Sequence, residues 1–257
     1  MVYANAMLRT TLAAARTFVF VPLFFVYTLL ISAIVIVIGL FDEDSPIHDA
    51  IVNHWGGVVL RIPPVKWSVE GLEHVDPNQR YVVASNHLSM FDIPLLFRGL
   101  PLHGRFLSKK EIFRIPLVGR AMRTIGIVEV NRQAHGSSRQ AINDGVRIAA
   151  ERGYSLLVFP EGTRSRTAEL LPFKKGAFRI AIDTGLPLLR VVIEGTNRIN
   201  KPEGKVFYPG RARLRVLPPI ETAQMTNKDD LNPMLAEVQD MIQAEYTAMH
   251  AEATPEG

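Results

Sequence analysis

The sequence predicts an α/β fold in which a mixed, mostly parallel sheet is covered by helices and preceded by an N-terminal helical membrane anchor. Residues 17–41 hold no charged side chain, and a run of this length is enough to cross a bilayer as one helix. After the anchor, short β-branched runs alternate with segments of helical periodicity, which is typical of a sheet with a helical cover. The chain has 257 residues, of which 47% are hydrophobic, so it can fill one sizeable core.

The anchor is predicted to comprise residues 1–62, with an apolar helix over 17–41 and an amphipathic helix over 47–62. Three acidic residues follow the apolar run where a cleaved signal peptide would have small residues. For a single span, the positive-inside rule would place the basic remainder outside the cytoplasm. We therefore favour a monotopic two-helix anchor over a single span. We expect the remaining domain on the cytoplasmic face of the inner (plasma) membrane.

Residues 63–257 are predicted to form one catalytic domain. The β-branched runs predict strands at 65–70, 81–84, 125–130, 155–159 and 188–193. A capping pattern at Ser137 and Gln140 predicts a helix that Gly153 ends. Two further helical stripes run through 173–181, before Gly185, and through 234–246.

Charge and composition limit the function. Residues 98–215 hold 23 Lys and Arg against 9 Asp and Glu, so this part of the chain favours an anionic partner: nucleic acid, an anionic membrane surface or a phosphorylated small molecule. A membrane anchor without an aromatic-rich basic motif argues against nucleic acid. The chain has no cysteine, which excludes disulfides, thiolate metal sites and a cysteine acyl-enzyme.

The stretch YVVASNHLSMFD at 81–92 carries the first chemical signal. A continuous helix would place His87 and Asp92 about 140° apart. If His87 instead lies in a turn after the strand and Asp92 in the first turn of the next helix, the carboxylate reaches one imidazole nitrogen. The pattern then predicts a general base with its orienting acid.

The stretch FPEGTRS at 159–165 carries the second chemical signal. A strand that ends in a glycine-containing loop can present backbone N–H groups, the Thr163 hydroxyl and the Arg164 guanidinium to a phosphate. Loops at the ends of sheet strands are where such ligands bind.

Together these stretches resemble the glycerophosphate acyltransferase superfamily, specifically the bacterial 1-acyl-sn-glycerol-3-phosphate acyltransferases. The family's His-x4-Asp motif is matched at 86–92, its aromatic-Pro-Glu-Gly-Thr-Arg string at 159–164, and a second motif between Lys110 and Arg132. The resemblance covers about residues 55–216. The family tends to have a proline where Arg190 stands, so Arg190 either reflects a different placement of its strand or adds to an anion pocket.

The resemblance implies transfer of a fatty acyl group from acyl-CoA or acyl carrier protein to lysophosphatidate, which makes phosphatidate for phospholipid synthesis. It implies no bound cofactor and no metal; the acyl thioester is a co-substrate. Glu161 is expected to orient Arg164 or its loop rather than to touch phosphate. The implied catalytic residues are His87 and Asp92, the phosphate-binding residues Arg132, Glu161, Gly162, Thr163 and Arg164, and the supporting residues Asn86, Ser89, Lys109 and Lys110.

Three alternatives stay open at this point. The acceptor could be another lysolipid or glycerol 3-phosphate, since these would use the same motifs. The chain could also be a non-catalytic anionic-lipid-binding membrane protein, although that reading leaves His87 and Asp92 unexplained. Lys109 and Lys110 could contact lipid headgroups instead of the substrate, and Lys174 and Lys175 are expected to be solvated.

Overall fold

A computed structural model describes residues 2–130, 146–167 and 169–253. In these ranges a single seven-stranded sheet is flanked by helices. The elements in chain order are α1 (Val2–Phe41), α2 (Ile47–Arg61), β1 (Val65–Glu70), β2 (Val82–Ser85), α3 (Asp92–Gly99), β3 (Gly104–Lys109), α4 (Val118–Thr124), β4 (Val128–Val130), α5 (146–151), β5 (Ser155–Val158), α6 (Gly176–Thr184), β6 (Leu188–Glu194), α7 (Thr196–Ile199), β7 (Gly210–Ile220) and α8 (Leu231–Ala253).

The strands lie in the order β1-β7-β6-β2-β5-β3-β4. Every neighbouring pair is parallel except β6 and β7, which are antiparallel. This confirms the predicted mixed, mostly parallel sheet. Since β6, β2 and β5 are adjacent and parallel, their carboxyl ends meet at one edge, where parallel sheets bind ligands.

The sheet is buried on both faces. All residues of β2 and β6 are buried, as expected for central strands with helices on either side. One face packs against α6 and α8 through residues such as Phe178 and Val238, and the other packs against α2 and α3 through Leu60 and Leu95. The most buried strands therefore support the edge at which the chemically interesting residues lie.

Most predicted strands are present, with small shifts at their ends. The strand predicted at 125–130 is shorter, because Gly126 adopts φ +81° in the turn after α4 and β4 begins only at Val128. Strands β3 and β7 were not predicted. In β7 apolar and arginine residues alternate over 211–216, with Ala212, Leu214 and Val216 buried, a period-2 pattern typical of a strand with one buried face.

Helix α1 begins well before the predicted apolar run and continues for 40 residues. By length and composition, Thr10–Phe41 is sufficient to cross a membrane, with a mean hydropathy of 2.8 in its most apolar window. Pro22 lies inside the helix. Many apolar side chains of α1 point away from the protein, and Phe18 is 82% exposed. Such a surface is suited to lipid rather than to water.

A buried arginine ties the second helix to the sheet. Arg105 on β3 is fully buried, and its Nη1 donates to Asp49 Oδ1 on α2 at 2.6 Å. The guanidinium also lies over the ring of Tyr154, 3.8 Å from its centroid. His103 contacts the other oxygen of Asp49 at 2.5 Å, so the Asp49 carboxylate has a partner on each oxygen. A buried guanidinium is tolerated only with such partners.

Candidate active site

Three adjacent strands deliver the candidate active site to the carboxyl edge of the sheet. His87 follows β2 at Ser85, Glu161 follows β5 at Val158, and Thr196 follows β6 at Glu194. Asp92 begins α3 after the turn that contains His87. The predicted order of strand, turn and helix start around His87 is confirmed. The parallel register of the three strands therefore places residues over 100 positions apart in the sequence beside one another.

His87 and Asp92 form a base-and-acid pair. The imidazole Nδ1 lies 2.8 Å from Asp92 Oδ2. An ionised carboxylate can only accept hydrogen bonds, so Nδ1 carries the proton and the lone pair of Nε2 is left for a substrate. The Asp92 side chain is fully buried, whereas that of His87 is 14% exposed. The pair therefore has its acid inside the protein and its base at the surface, as a general base requires.

Asp92 is held by four hydrogen bonds. Its Oδ2 accepts from the backbone N–H groups of Leu88 (2.7 Å) and Ser89 (2.8 Å) in addition to His87. Its Oδ1 accepts from the hydroxyl of Thr196 at 2.5 Å. Donors aimed at a buried carboxylate offset the loss of its hydration. Thr196 was missed by sequence reasoning, although it directly follows a strand that was predicted to support the site.

The second stretch holds the backbone of His87 from both sides. The N–H of His87 donates to Glu161 Oε1 at 2.7 Å, and its carbonyl accepts from the N–H of Ser165 at 2.9 Å. The other oxygen of Glu161 accepts from the N–H of Leu171 at 2.9 Å. Glu161 thus orients its own loop and the catalytic turn, and not Arg164. Ser165, also missed as a site residue, completes this backbone clamp.

The face of the imidazole rests on an aromatic ring. His87 stacks on Phe159, with ring centroids 3.9 Å apart and planes 7° apart. Phe159 in turn stacks on Phe106 of β3 at 5.4 Å. This packing restricts rotation of the imidazole, which adds to the orientation that Asp92 provides. The aromatic residue before the Pro-Glu-Gly string therefore has a direct role at the histidine.

Glu161 is a buried acid with an altered titration. Burial raises its pKa to about 7, against the opposing effect of the two backbone N–H groups that it accepts from. Removing a carboxylate from water disfavours its charged form. The nearby charge of Asp92 acts in the same direction. Glu161 is therefore a buried acid of the site whose charge changes near neutral pH.

The loop after β5 presents cationic groups to solvent. Gly162 has φ +73°, a conformation that favours glycine, and a Cβ at this position would lie 2.8 Å from the Nζ of Lys174. Lys174 therefore lies beside the loop, and both Lys174 and Lys175 are exposed to solvent, as predicted. Thr163 and Arg164 are exposed. An exposed hydroxyl and two cations at one loop are suited to binding a phosphate.

The supporting residues occupy different environments. Asn86 extends the ladder between β2 and β6: its Nδ2 donates to the carbonyl of Ile193 at 2.9 Å, and its Oδ1 accepts from the Ile193 N–H at 2.8 Å. Ser89 is buried, and its hydroxyl accepts from the N–H of Phe91 at 3.3 Å. Lys109 and Lys110 are exposed at the carboxyl end of β3, on the same edge of the sheet.

Arg132 lies outside the described residues, as does most of the helix predicted from Ser137. Arg190 is described, and it does not join the site. Arg190 lies in β6, where its Nε donates to the carbonyl of Pro218 at 3.1 Å, and burial lowers the pKa of its guanidinium. The suggestion that Arg190 adds to an anion pocket is wrong, because its side chain points to the backbone of β7.

Comparison with known proteins agrees with this geometry. The family model described as Acyltransferase matches residues 66–194, which contain the whole His87, Asp92 and Glu161 constellation. The chain belongs to the Acyltransferase family. Among relatives of this acyltransferase-family chain, 1-acyl-sn-glycerol-3-phosphate acyltransferase alpha of Mus musculus is 33% identical over 166 residues, which cover 64% of this chain and 58% of that protein. The 1-acyl-sn-glycerol-3-phosphate acyltransferase of Saccharomyces cerevisiae is 35% identical over 164 residues, which cover 63% and 54% of the two chains.

A solved structure shares the fold. The crystal structure of the 1-acyl-sn-glycerophosphate (LPA) acyltransferase PlsC from Thermotoga maritima superposes with a TM-score of 0.77 and 24% sequence identity, and it covers 95% of this chain and 98% of that one. This likeness includes the helices that precede the sheet. The acyltransferase-family chain spans between a half and two thirds of the length of the two relatives above.

Proposed function

We propose that this chain transfers an acyl group from an acyl thioester to the free hydroxyl of 1-acyl-glycerol 3-phosphate, which makes phosphatidic acid. The observation that carries the proposal is the His87–Asp92 pair, in which the backbone of His87 is held by the loop after β5. A base and a phosphate site joined in this way suit a small phosphorylated alcohol as acceptor. The names of the relatives support the same acceptor.

In the proposed reaction His87 acts as general base. Its Nε2 takes the proton of the acceptor hydroxyl while the oxygen attacks the thioester carbonyl carbon. The imidazolium that forms is stabilised by Asp92, which lies 2.8 Å from Nδ1. The tetrahedral adduct then expels the thiol sulfur, which receives the proton from the imidazolium. The products are an ester and a free thiol, and no covalent enzyme intermediate is required.

The acceptor phosphate is proposed to bind at the loop of Gly162, Thr163 and Arg164, with Lys174 beside it. In 1-acyl-glycerol 3-phosphate one carbon separates the reacting carbon from the phosphate oxygen, so the phosphate must bind close to the base. Arg164 is exposed, and its fork can hold two phosphate oxygens. Because Glu161 and Ser165 of the same loop hold His87, the distance between the proposed phosphate site and the His87 imidazole is fixed.

An apolar cavity that is more enclosed than open is proposed to take the acyl chain of the donor, and we call it the enclosed cavity. It has a volume of about 300 Å³ and lies between α1, α2, α3, β3 and α4. Ile31, Trp55 and Phe106 are among its lining residues. Phe106 stacks on Phe159, which stacks on His87, so the cavity approaches the base. Acyl-CoA and acyl carrier protein are both proposed donors, as co-substrates and not as bound cofactors.

The protein is proposed to work at a phospholipid membrane, with the sheet on the cytoplasmic face of the inner (plasma) membrane. Helix α1 offers a long apolar surface, and both the lysophosphatidate acceptor and the product are membrane lipids. A monotopic arrangement of α1 and α2 would keep the domain on the side where acyl thioesters are made.

The direct test compares wild type with His87→Ala, using a labelled long-chain acyl-CoA or acyl carrier protein and lysophosphatidate in detergent micelles. Loss of the base should lower the rate by about 10²- to 10⁴-fold or more. His74→Ala is the matched control, because His74 is partly exposed and its ion-pair contact with Glu73 is 4.0 Å long. If wild type forms no ester with either donor and any lyso acceptor, yet binds anionic vesicles, a non-catalytic lipid-binding function replaces the proposal.

A further inference from the structure

A second apolar space lies beside the active site and has no role in the proposal so far. It is an open groove of about 650 Å³ between the first half of α1 and the 200–207 loop. Phe18, Val21 and Pro22 line it on the α1 side, and Met90 and Arg164 line it where it meets the active site. We call it the loop groove. It is separate from the enclosed cavity, with which it shares no lining residue.

The wall of the loop groove is held in place by contacts within the fold. Asn200 and Phe207 form an antiparallel bridge that closes the loop. The N–H of Phe207 donates to the hydroxyl of Thr17 on α1 at 3.0 Å. The ring of Phe207 packs edge-on against Phe91 at 5.1 Å, next to the catalytic Asp92. The position of the groove relative to the catalytic turn is therefore fixed.

The loop groove has cationic side chains where it meets the active site. Arg164 has no ion-pair partner among residues 2–130, 146–167 and 169–253. Lys205 is exposed on the loop. The one acidic lining residue, Glu203, is engaged with Arg166 at 3.2 Å. An apolar floor that ends at an arginine is complementary to an amphiphile with an anionic head.

We propose that the loop groove binds the 1-acyl chain of the acceptor lysophospholipid. This inference rests on the proposed function. In the acceptor, the reacting carbon lies between the carbon that carries the phosphate and the carbon that carries the acyl chain. With the hydroxyl at His87 and the phosphate on Arg164, the chain leaves along the groove that Arg164 itself lines. The enclosed cavity remains for the donor, so each of the two substrate chains has its own space.

The open shape of the loop groove suits the acceptor. The acceptor arrives from the bilayer and the product returns to it, so its chain needs a path that opens to lipid. The loop groove is bordered by Phe18, which is 82% exposed on the apolar surface of α1. A lysolipid can thus slide in from the side without leaving the apolar phase, and its desolvation on binding is small.

The test fills the groove and compares acceptors of different chain length. Val21→Trp narrows it, whereas Leu23→Trp, two residues along α1, places the same indole at an exposed position that lines neither space. In mixed micelles, Val21→Trp should raise the KM for 1-oleoyl lysophosphatidate about tenfold or more, since several buried methylenes lose their contacts. The KM for 1-hexanoyl lysophosphatidate and for the acyl donor should stay within about twofold, and Leu23→Trp should change none of them.

Two results overturn the inference while leaving the proposed function intact. One is an active Val21→Trp variant that behaves like Leu23→Trp, and the other is an equal rise in KM for both chain lengths. If wild type makes no phosphatidate at all, the proposed function fails first. A second measurement does not depend on folding of a variant. Wild type is photolabelled with lysophosphatidate that carries a diazirine at its chain end: labels in 14–22 or 203–207 support the groove, and labels confined to 28–35 or 51–55 refute it.

Discussion

Replacing Thr196 with valine should impair catalysis and stability together. The Thr196 hydroxyl is the partner of Asp92 Oδ1 at 2.5 Å, and both residues are fully buried. Valine keeps nearly the same volume but has no hydroxyl. The substitution therefore leaves one oxygen of a buried carboxylate without a donor, while Oδ2 keeps His87 and the two backbone N–H groups.

The size of the effect follows from this count. A hydrogen bond to a charged group contributes about 1.5–3 kcal/mol to the free energy of unfolding, which for a chain of this size lowers Tm by about 2–4 °C per kcal/mol. With three of four hydrogen bonds retained, Asp92 still faces His87 but is free to tilt. We expect kcat to fall about tenfold, which is about 1.4 kcal/mol in the activation barrier, and KM for both substrates to stay within about twofold.

Thr222→Val is the matched control. Thr222 is also fully buried, and its hydroxyl donates to the carbonyls of Ala181 (3.0 Å) and Leu186 (2.8 Å), away from the active site. It should cost about 0.5–1.5 kcal/mol of stability and leave kcat unchanged. Chemical unfolding and initial rates at saturating substrate measure both quantities. If Thr196→Val loses stability but keeps the kcat of wild type, the hydroxyl is merely structural and the positioning argument is wrong.

Three further predictions concern titration, phosphate and chain length. Glu161→Gln should change the pH dependence of stability, because the pKa of Glu161 in wild type is about 7 and lies above the ordinary value of 4.5. Wild type should lose up to about 3 kcal/mol of unfolding free energy relative to the variant as pH rises from about 4.5 to above 7. A pH-independent difference between the two proteins in urea unfolding would contradict this prediction. Arg164→Ala should raise the KM for lysophosphatidate about 10- to 100-fold, as expected for loss of a charged hydrogen bond, with the KM for the donor unchanged. The control Arg147→Ala, which removes an exposed i,i+4 ion pair with Glu151, should leave the KM for lysophosphatidate unchanged. Ile31→Trp, which fills the enclosed cavity, should shift donor preference to shorter acyl chains in competition assays, whereas a tryptophan at exposed Leu30 should leave the preference unaltered.

The site was predictable where its chemistry is local in the sequence. The spacing of His87 and Asp92 excluded a continuous helix and required a turn, and the structure has that turn. The strand at 188–193 is, apart from Arg190, a run of leucine and β-branched residues, and its burial in the centre of the sheet left little choice of conformation.

The contacts that were missed depend on which strands become neighbours. Thr196 is 104 residues from Asp92, and nothing in its own surroundings shows that β6 will lie next to β2. Ser165 binds His87 through its backbone N–H, a group that every residue except proline has. No side-chain pattern therefore predicts this contact. Strand β7 was not predicted, although its apolar residues alternate with arginines, two of which form ion pairs with α8: Arg213 with Glu252 and Arg215 with Glu245.

The ion pair between Arg105 and Asp49 joins α2, part of the proposed membrane anchor, to the catalytic sheet. A polypeptide started after α2 would retain the Arg105 guanidinium in the interior with no carboxylate, a defect that costs about 3–5 kcal/mol out of the 5–15 kcal/mol by which proteins of this kind are folded. Truncation is therefore a poor route to a soluble enzyme. In purification, any surfactant that draws α2 toward the micelle will loosen β3, so the lifetime of activity in detergent reports on how well that surfactant substitutes for the bilayer.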